Sequence, residues 1–206
     1  MPRGPLSGAP RDAGQAFPVY VVAVAGLLFV ALAVFAVGMA GASKNGAQSA
    51  ADASALAAAQ SYRDQAFAGF LRDVRTADAG RRWLMGLGDA PASACADADR
   101  LAGRNDAEVA GGGCRFTAGP GAATAFDVTV RARKSVGTSV VPGTAHLHAE
   151  ASARALLAPR CRPEPGAGPL RLLCDEGREL RVDPDHIDPL LEAKDLFAVR
   201  LAATDQ

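Results

Sequence analysis

One unbroken apolar run dominates the pattern of this chain. No charged residue occurs between Asp12 and Lys44, and apolar or small residues fill almost all of 16–42. A helix needs roughly 20 apolar residues to cross the ~30 Å hydrocarbon core of a bilayer. The run therefore predicts a transmembrane helix with a turn or more to spare. Pro18 stands near its start, where a missing N–H costs little. Tyr20 is placed there as an interface anchor. The rival is a cleaved signal peptide, for which Ala40-Gly41-Ala42 is an acceptable small-x-small site. A signal core is roughly 7–15 residues long, much shorter than this run, so a retained anchor is preferred. A buried core helix, the third option, fits so long an uncharged run badly.

The pattern then changes without a break. Alanine, the best helix former, crowds the stretch from Ala47 to Ala59, and Phe67, Phe70, Leu71 and Val74 recur at three- and four-residue spacing. Span and stalk thus read as one long helix ending at about Thr76. Ala36 and Ala40, like Gly38 and Ala42, are four apart, the spacing that lets helices approach closely in a bilayer. Ala51, Ala55 and Ala58 extend a similarly smooth surface along the stalk. Lateral packing against other long helices is one reading of these residues. The plain one is that alanine abounds throughout this chain.

Shorter elements follow. Arg81 to Leu87 predicts a short helix ended by Gly88, and Asp89 with Pro91 opens another that carries Cys95, Ala98 and Leu101 to about Gly103. Asn105-Asp106 makes a turn, a brief strand includes Val109, and Gly111 to Gly113 allow another turn before Cys114-Arg115-Phe116. Phe126, Val128, Val130 and Ala132 alternate with polar residues, the clearest strand signal in the chain. A Gly/Pro connection over 137–143 leads to a partner strand over 145–156. After the Pro/Gly-rich linker 159–169, Leu170 to Cys174 and Glu179 to Val182 predict a hairpin around Glu176-Gly177. Asp188 caps a short helix from Pro189 to about Lys194, and Phe197 to Leu201 forms a last strand.

The expected fold is α+β: a single N-terminal transmembrane helix continuing into a long stalk helix, packed on a small antiparallel sheet, with a disulfide-stapled head. Its divisions are a disordered cytoplasmic tail 1–15, the span 16–42, the stalk 43–76, an extracytoplasmic α+β head 77–158 and a C-terminal hairpin, helix and strand extension 159–206.

Composition sharpens this picture. Hydrophobic residues make up 49% but aromatics only 5%, so the core is thin. The net charge of +0 argues against a nucleic-acid footprint. Arginine far outnumbers lysine, which occurs only at Lys44, Lys134 and Lys194. That bias, with abundant alanine and glycine, points to a GC-rich bacterial genome. Arg3 and Arg11 precede the span and Lys44 alone closely follows it, which places the N-terminus in the cytoplasm. Cys95, Cys114, Cys161 and Cys174 all lie beyond the span. Four cysteines allow three connectivities. Nearest-neighbour pairing, Cys95 with Cys114 and Cys161 with Cys174, is preferred, each bridge contributing roughly 3 kcal/mol. Four separate buried thiols are the alternative. Disulfides imply an oxidising compartment, so the C-terminal domain is expected outside the cell, with the chain a single-pass protein of the cell membrane.

Two stretches carry a resemblance. Gly14-Gln15-Ala16, the apolar run, and Gln48-Ser49-Ala50-Ala51-Asp52-Ala53-Ser54-Ala55-Leu56-Ala57-Ala58-Ala59 resemble the N-terminal region of TadE/TadG-like proteins of tight-adherence (Flp) pilus assembly. From Ala94-Cys95-Ala96-Asp97-Ala98, through Leu101 to Ala107 and Cys114, to Val128-Thr129-Val130, the chain looks like TadE-like proteins of high-GC Gram-positive bacteria. The likeness covers about Gly14 to Ser152. It implies a membrane-anchored, pseudopilin-like protein whose partners are the lipid bilayer and other pilus or secretion-apparatus subunits. Prepilins resemble one another in a glycine before the cleavage site and a glutamate five residues on. Gly14 is present here, but Val19 stands at the glutamate position. The resemblance therefore implies an accessory, minor-pilin-like component. The alternative is a secreted or anchored envelope-binding module unrelated to pili.

No chemistry competes with that reading. The chain has no G-x-S-x-G, P-loop, H-E-x-x-H or Rossmann glycine pattern. No two cysteines have zinc-ligand spacing. His146 and His148 share a strand face and, with His186, offer three metal ligands, but solvent-facing histidines are favoured. Asp183, Asp185 and Asp188 lack the glycine and glutamate of a calcium loop, which favours a capped turn. Arg81-Arg82 reaches anionic headgroups only if the chain folds back to the membrane; a solvated helix face is favoured. We expect no enzymatic activity, cofactor, metal, nucleic acid or small-molecule substrate.

Overall fold

The computed structural model describes residues 16–88, 93–119, 121, 123–135, 146–165 and 170–202. The expected tail 1–15, the helix start at Asp89 and Pro91 and the connection 137–143 lie outside them. Helix α1 spans Ala16–Asp73. The chain falls into two units, Met1–Ala42 and Ser43–Gln206. In the first, apolar side chains on every side of the helix are exposed, Phe17, Leu27, Leu28, Phe29, Val34 and Phe35 among them.

The second unit begins with the rest of α1. It adds α2 (Ala77–Leu84), α3 (Ala94–Arg104), β1 (Ala107–Ala118), β2 (Thr124–Ser135), β3 (His148–Pro159), β4 (Cys161–Pro163), β5 (Leu170–Cys174), β6 (Glu179–Val182), α4 (Ala193–Leu196) and β7 (Phe197–Leu201). One antiparallel sheet has the order β1-β2-β3-β7 and a smaller one the order β4-β5-β6. The expected α+β fold, with a long apolar helix, a small antiparallel sheet and two disulfides, is the one observed.

Strand alternation builds the core. Phe126, Val128 and Val130 on β2 pair with Ala155, Ala153 and Ala151 on β3, and directly opposed residues share a face. Against this face α1 buries Ala47, Ala50, Ala51, Ser54, Ala55, Ala58, Tyr62, Ala66 and Phe70, a stripe at helical spacing. The rings of Tyr62 and Phe126 lie 5.7 Å apart, centroid to centroid. Alanine thus compensates for its small buried area by drawing backbones together.

Several boundaries differ from expectation. α2 begins at Ala77 and ends at Leu84, because Gly86, with φ +69°, closes it: the N–H of Leu87 donates to the Arg82 carbonyl and that of Gly86 to Trp83. Gly88 instead lies against the Trp83 ring, as does Gly69. Gly111 to Gly113 do not end a strand. They form a bulge inside β1, where the pairing jumps from Val109–Val130 to Cys114–Val128. The expected helix from Pro189 is a turn, in which the Asp188 carboxylate accepts the Leu190 N–H at 2.9 Å. α4 starts later, where a capping box joins Glu192 and Asp195.

Candidate functional site

The apolar run is the largest exposed hydrophobic surface among the described residues. Twenty-seven residues, 16–42, at ~1.5 Å each extend about 40 Å, more than the ~30 Å of bilayer hydrocarbon. Of the small residues at helix-packing spacing, Ala36 is half-buried, while Gly38, Ala40 and Ala42 are exposed. Ala51, Ala55 and Ala58 are fully buried. They belong to this chain's own core, where they let α1 lie close to the sheet.

The cysteines pair as nearest neighbours. Cys95–Cys114 joins α3 to β1, and Cys161–Cys174 joins β4 to β5, whose register sets those two residues directly opposite each other. No cysteine is free.

The remaining candidates are scattered. His148 opens β3 with Nδ1 2.8 Å from the Ala132 carbonyl, whereas His146 precedes the strand, so the two do not share a strand face. His186 lies between β6 and α4, where it faces Asp183 at 3.6 Å. The Asp183 carboxylate accepts the Asp185 N–H at 2.9 Å, which makes the Asp183–Asp188 cluster a pair of turns. Among the described residues no three His, Cys, Asp or Glu side chains gather as a metal ion requires. Arg81 sits in α2 with its Nη2 3.4 Å from the Glu164 carbonyl; Arg82 reaches the Leu87 carbonyl at 3.4 Å.

Two polar arrangements escaped the sequence. On the outer face of the large sheet, Asp127 meets Arg154 at 2.6 Å, Glu108 meets Arg131 and Thr129 meets Ser152 at 2.8 Å, each pair directly opposed across strands. The Arg131 hydrogen bond holds the Glu108 carboxyl below its ordinary value, and Glu108 in turn raises Arg131. At the end of α1, Asp73 accepts the Trp83 indole N–H at 2.9 Å. Hydrogen bonds from Arg72 and then Trp83 lower the Asp73 carboxyl from 3.8 to about 2. Strand pairing and a contact ten residues apart bring these groups together, and neither leaves a local motif.

The geometry thus presents an exposed apolar helix joined to a self-contained, disulfide-braced head. A family model described as Putative Flp pilus-assembly TadE/G-like matches residues 14–61. That stretch holds the apolar run and the alanine-rich part of α1 that enters the core; it is less than a quarter of the chain. No curated protein and no solved structure matches.

Proposed function

We propose that this chain is a membrane-anchored accessory, minor-pilin-like component of a Tad/Flp-type pilus or secretion apparatus, from a high-GC Gram-positive bacterium. It acts through helix packing and protein–protein contacts rather than catalysis. One observation carries the reading: the family match over 14–61 coincides with the exposed apolar run and the helix continuing from it. The apolar run crosses the cell membrane once, with the N-terminus in the cytoplasm and the disulfide-braced head outside. Ala36, Gly38, Ala40 and Ala42 supply the smooth surface for neighbouring helices in the bilayer. Crosslinking in intact cells followed by purification is the test. Recovery of pilus or secretion subunits, reduced by Gly38→Leu, is expected. Recovery of free monomer alone, with normal pilus assembly in a deletion strain, would overturn the proposal.

A second reading has its own observation. The candidate cleavage site Ala40-Gly41-Ala42 ends where the unit Ser43–Gln206 begins. Cleavage there releases an envelope-binding module. The intact mass of the mature protein separates the two, since loss of residues through Ala42 is fatal to the anchor.

A further inference from the structure

Cross-strand charge follows one rule in the large sheet and breaks it in the small one. Across β1, β2 and β3, Arg131 lies between Glu108 and Glu150, and Asp127 between Arg115 and Arg154. Each charge there faces its opposite. In the small sheet Arg171 of β5 is directly opposed to Arg181 of β6, the one like-charged opposition in the described strand register. Opposed side chains stand with Cβ atoms about 5 Å apart, and like charges at that spacing destabilise a sheet. Arg162 of β4, opposite Leu173, is the diagonal neighbour of Arg171, about 7 Å away. All three arginines and Leu173 are exposed, on the face that alternates with buried Leu170, Leu172, Cys174 and Val182. Beside the same sheet Arg160 pairs with Asp175 and Arg178 with Asp195. Arg162, Arg171 and Arg181 make no side-chain hydrogen bond or ion pair among the described residues, although Glu164 and Glu179 lie on the same face. Three arginines against two glutamates leave that face positive.

The segment that leaves this face carries the complementary charge. β6 ends at Val182, and the exposed Asp183, Asp185 and Asp188 follow it directly. Leu190, just after them, is 81% exposed, the most exposed large apolar side chain among the described residues. The Asp183 and Asp188 carboxylates hold the turn itself. The Asp185 carboxylate meets Arg75 at 3.6 Å, with both side chains 73% exposed. A pair so open to water contributes little and yields to a better-placed cation. Arginine suits that role, because its planar fork takes a carboxylate through two parallel hydrogen bonds.

We infer that the outer face of the small sheet docks on the 183–190 turn of a second copy of this chain. Arg162, Arg171 and Arg181 take the carboxylates of that turn, and the partner's Leu190 packs beside Leu173. Face and turn adjoin in each chain, so one two-fold axis lets each copy offer its arginines to the other's turn, the self-complementary arrangement of an isologous dimer. Incoming carboxylates relieve the repulsion between Arg171 and Arg181. The interface lies wholly within the unit Ser43–Gln206, so it serves the anchored and the cleaved chain alike.

The test is sedimentation equilibrium of the full chain in a neutral, density-matched detergent, with Gly38→Leu in every sample to suppress packing between apolar runs. Expected is self-association that weakens as salt rises. Arg171→Glu/Arg181→Glu, and separately Asp185→Arg, should each weaken it roughly ten-fold, because like charges then meet across the interface. An equal mixture of these two variants should restore it, since the reversed face of one meets the reversed turn of the other. Arg171→Gln should weaken association yet leave the thermal midpoint of the head unchanged or raised, as the opposed repulsion is gone. A lowered midpoint would make Arg171 a structural residue and overturn the inference. Monomer alone, or association indifferent to salt and to both reversals, overturns it as well. So does a mixture that fails to restore association, which assigns the arginines to a different anion.

Discussion

Asp73 links two side chains, Arg72 and the single tryptophan, Trp83. Its carboxylate accepts from Arg72 at 2.8 Å and from Trp83 at 2.9 Å, and its carboxyl is lowered to about 2. A group depressed in the folded state stabilises fully above its unfolded value, near 3.8. That stabilisation is lost as the pH falls through about 2. Thermal unfolding followed by Trp83 fluorescence should show a midpoint that drops between pH 4 and pH 2 in the unsubstituted chain. Asp73→Asn should lower the midpoint at pH 5 and flatten that drop; an unchanged pH profile would remove Asp73 from the account. Ser54 is the residue-scale exception to the core, a fully buried hydroxyl with no hydrogen-bond partner among the described residues.

At the scale of elements, α1 has different surroundings in the two units. From Phe17 to Ala42 its side chains are almost all exposed, while from Ala47 onward one face is buried. Ala55 lies on that face, fully buried. Ala55→Leu adds three carbon atoms to a fully buried site and should cost about 1–3 kcal/mol. Calorimetry should show a lower head-unfolding temperature for it, but not for Ala40→Leu in the exposed run. Equal effects would contradict the packing described. Hydrophobic period made much of this legible. The apolar run, the β2 alternation and the hairpin of β5 and β6 follow from local pattern. The α2 boundary did not, since several glycines lie close together there and only the φ of Gly86 shows which one ends the helix. Nor did the β1 bulge, because a glycine triplet reads equally as a turn or as a kink in a paired strand.

For the molecule as a whole, the two bridges stabilise a head poor in large side chains. With sequence separations of 19 and 13, each should contribute about 3 kcal/mol by limiting the unfolded chain. Their sum is comparable to the ~5–15 kcal/mol stability of an ordinary domain. Denaturant titration in the presence of a reductant should therefore give a much lower midpoint, and Cys95→Ser/Cys114→Ser should account for about half of the shift. An unshifted midpoint would show that the alanine core suffices alone. Sequence by itself determined the apolar run, its continuation as helix and the α+β class, because each depends on local spacing and residue type; among the three cysteine connectivities it allowed, the structure chose Cys95–Cys114 and Cys161–Cys174. Tertiary structure alone decided that Ala51, Ala55 and Ala58 belong to the chain's own core, and that the Gln48 side chain reaches the Ser152 carbonyl. Such facts depend on which surfaces meet and in which direction, and no local pattern of side chains encodes the meeting of segments a hundred residues apart.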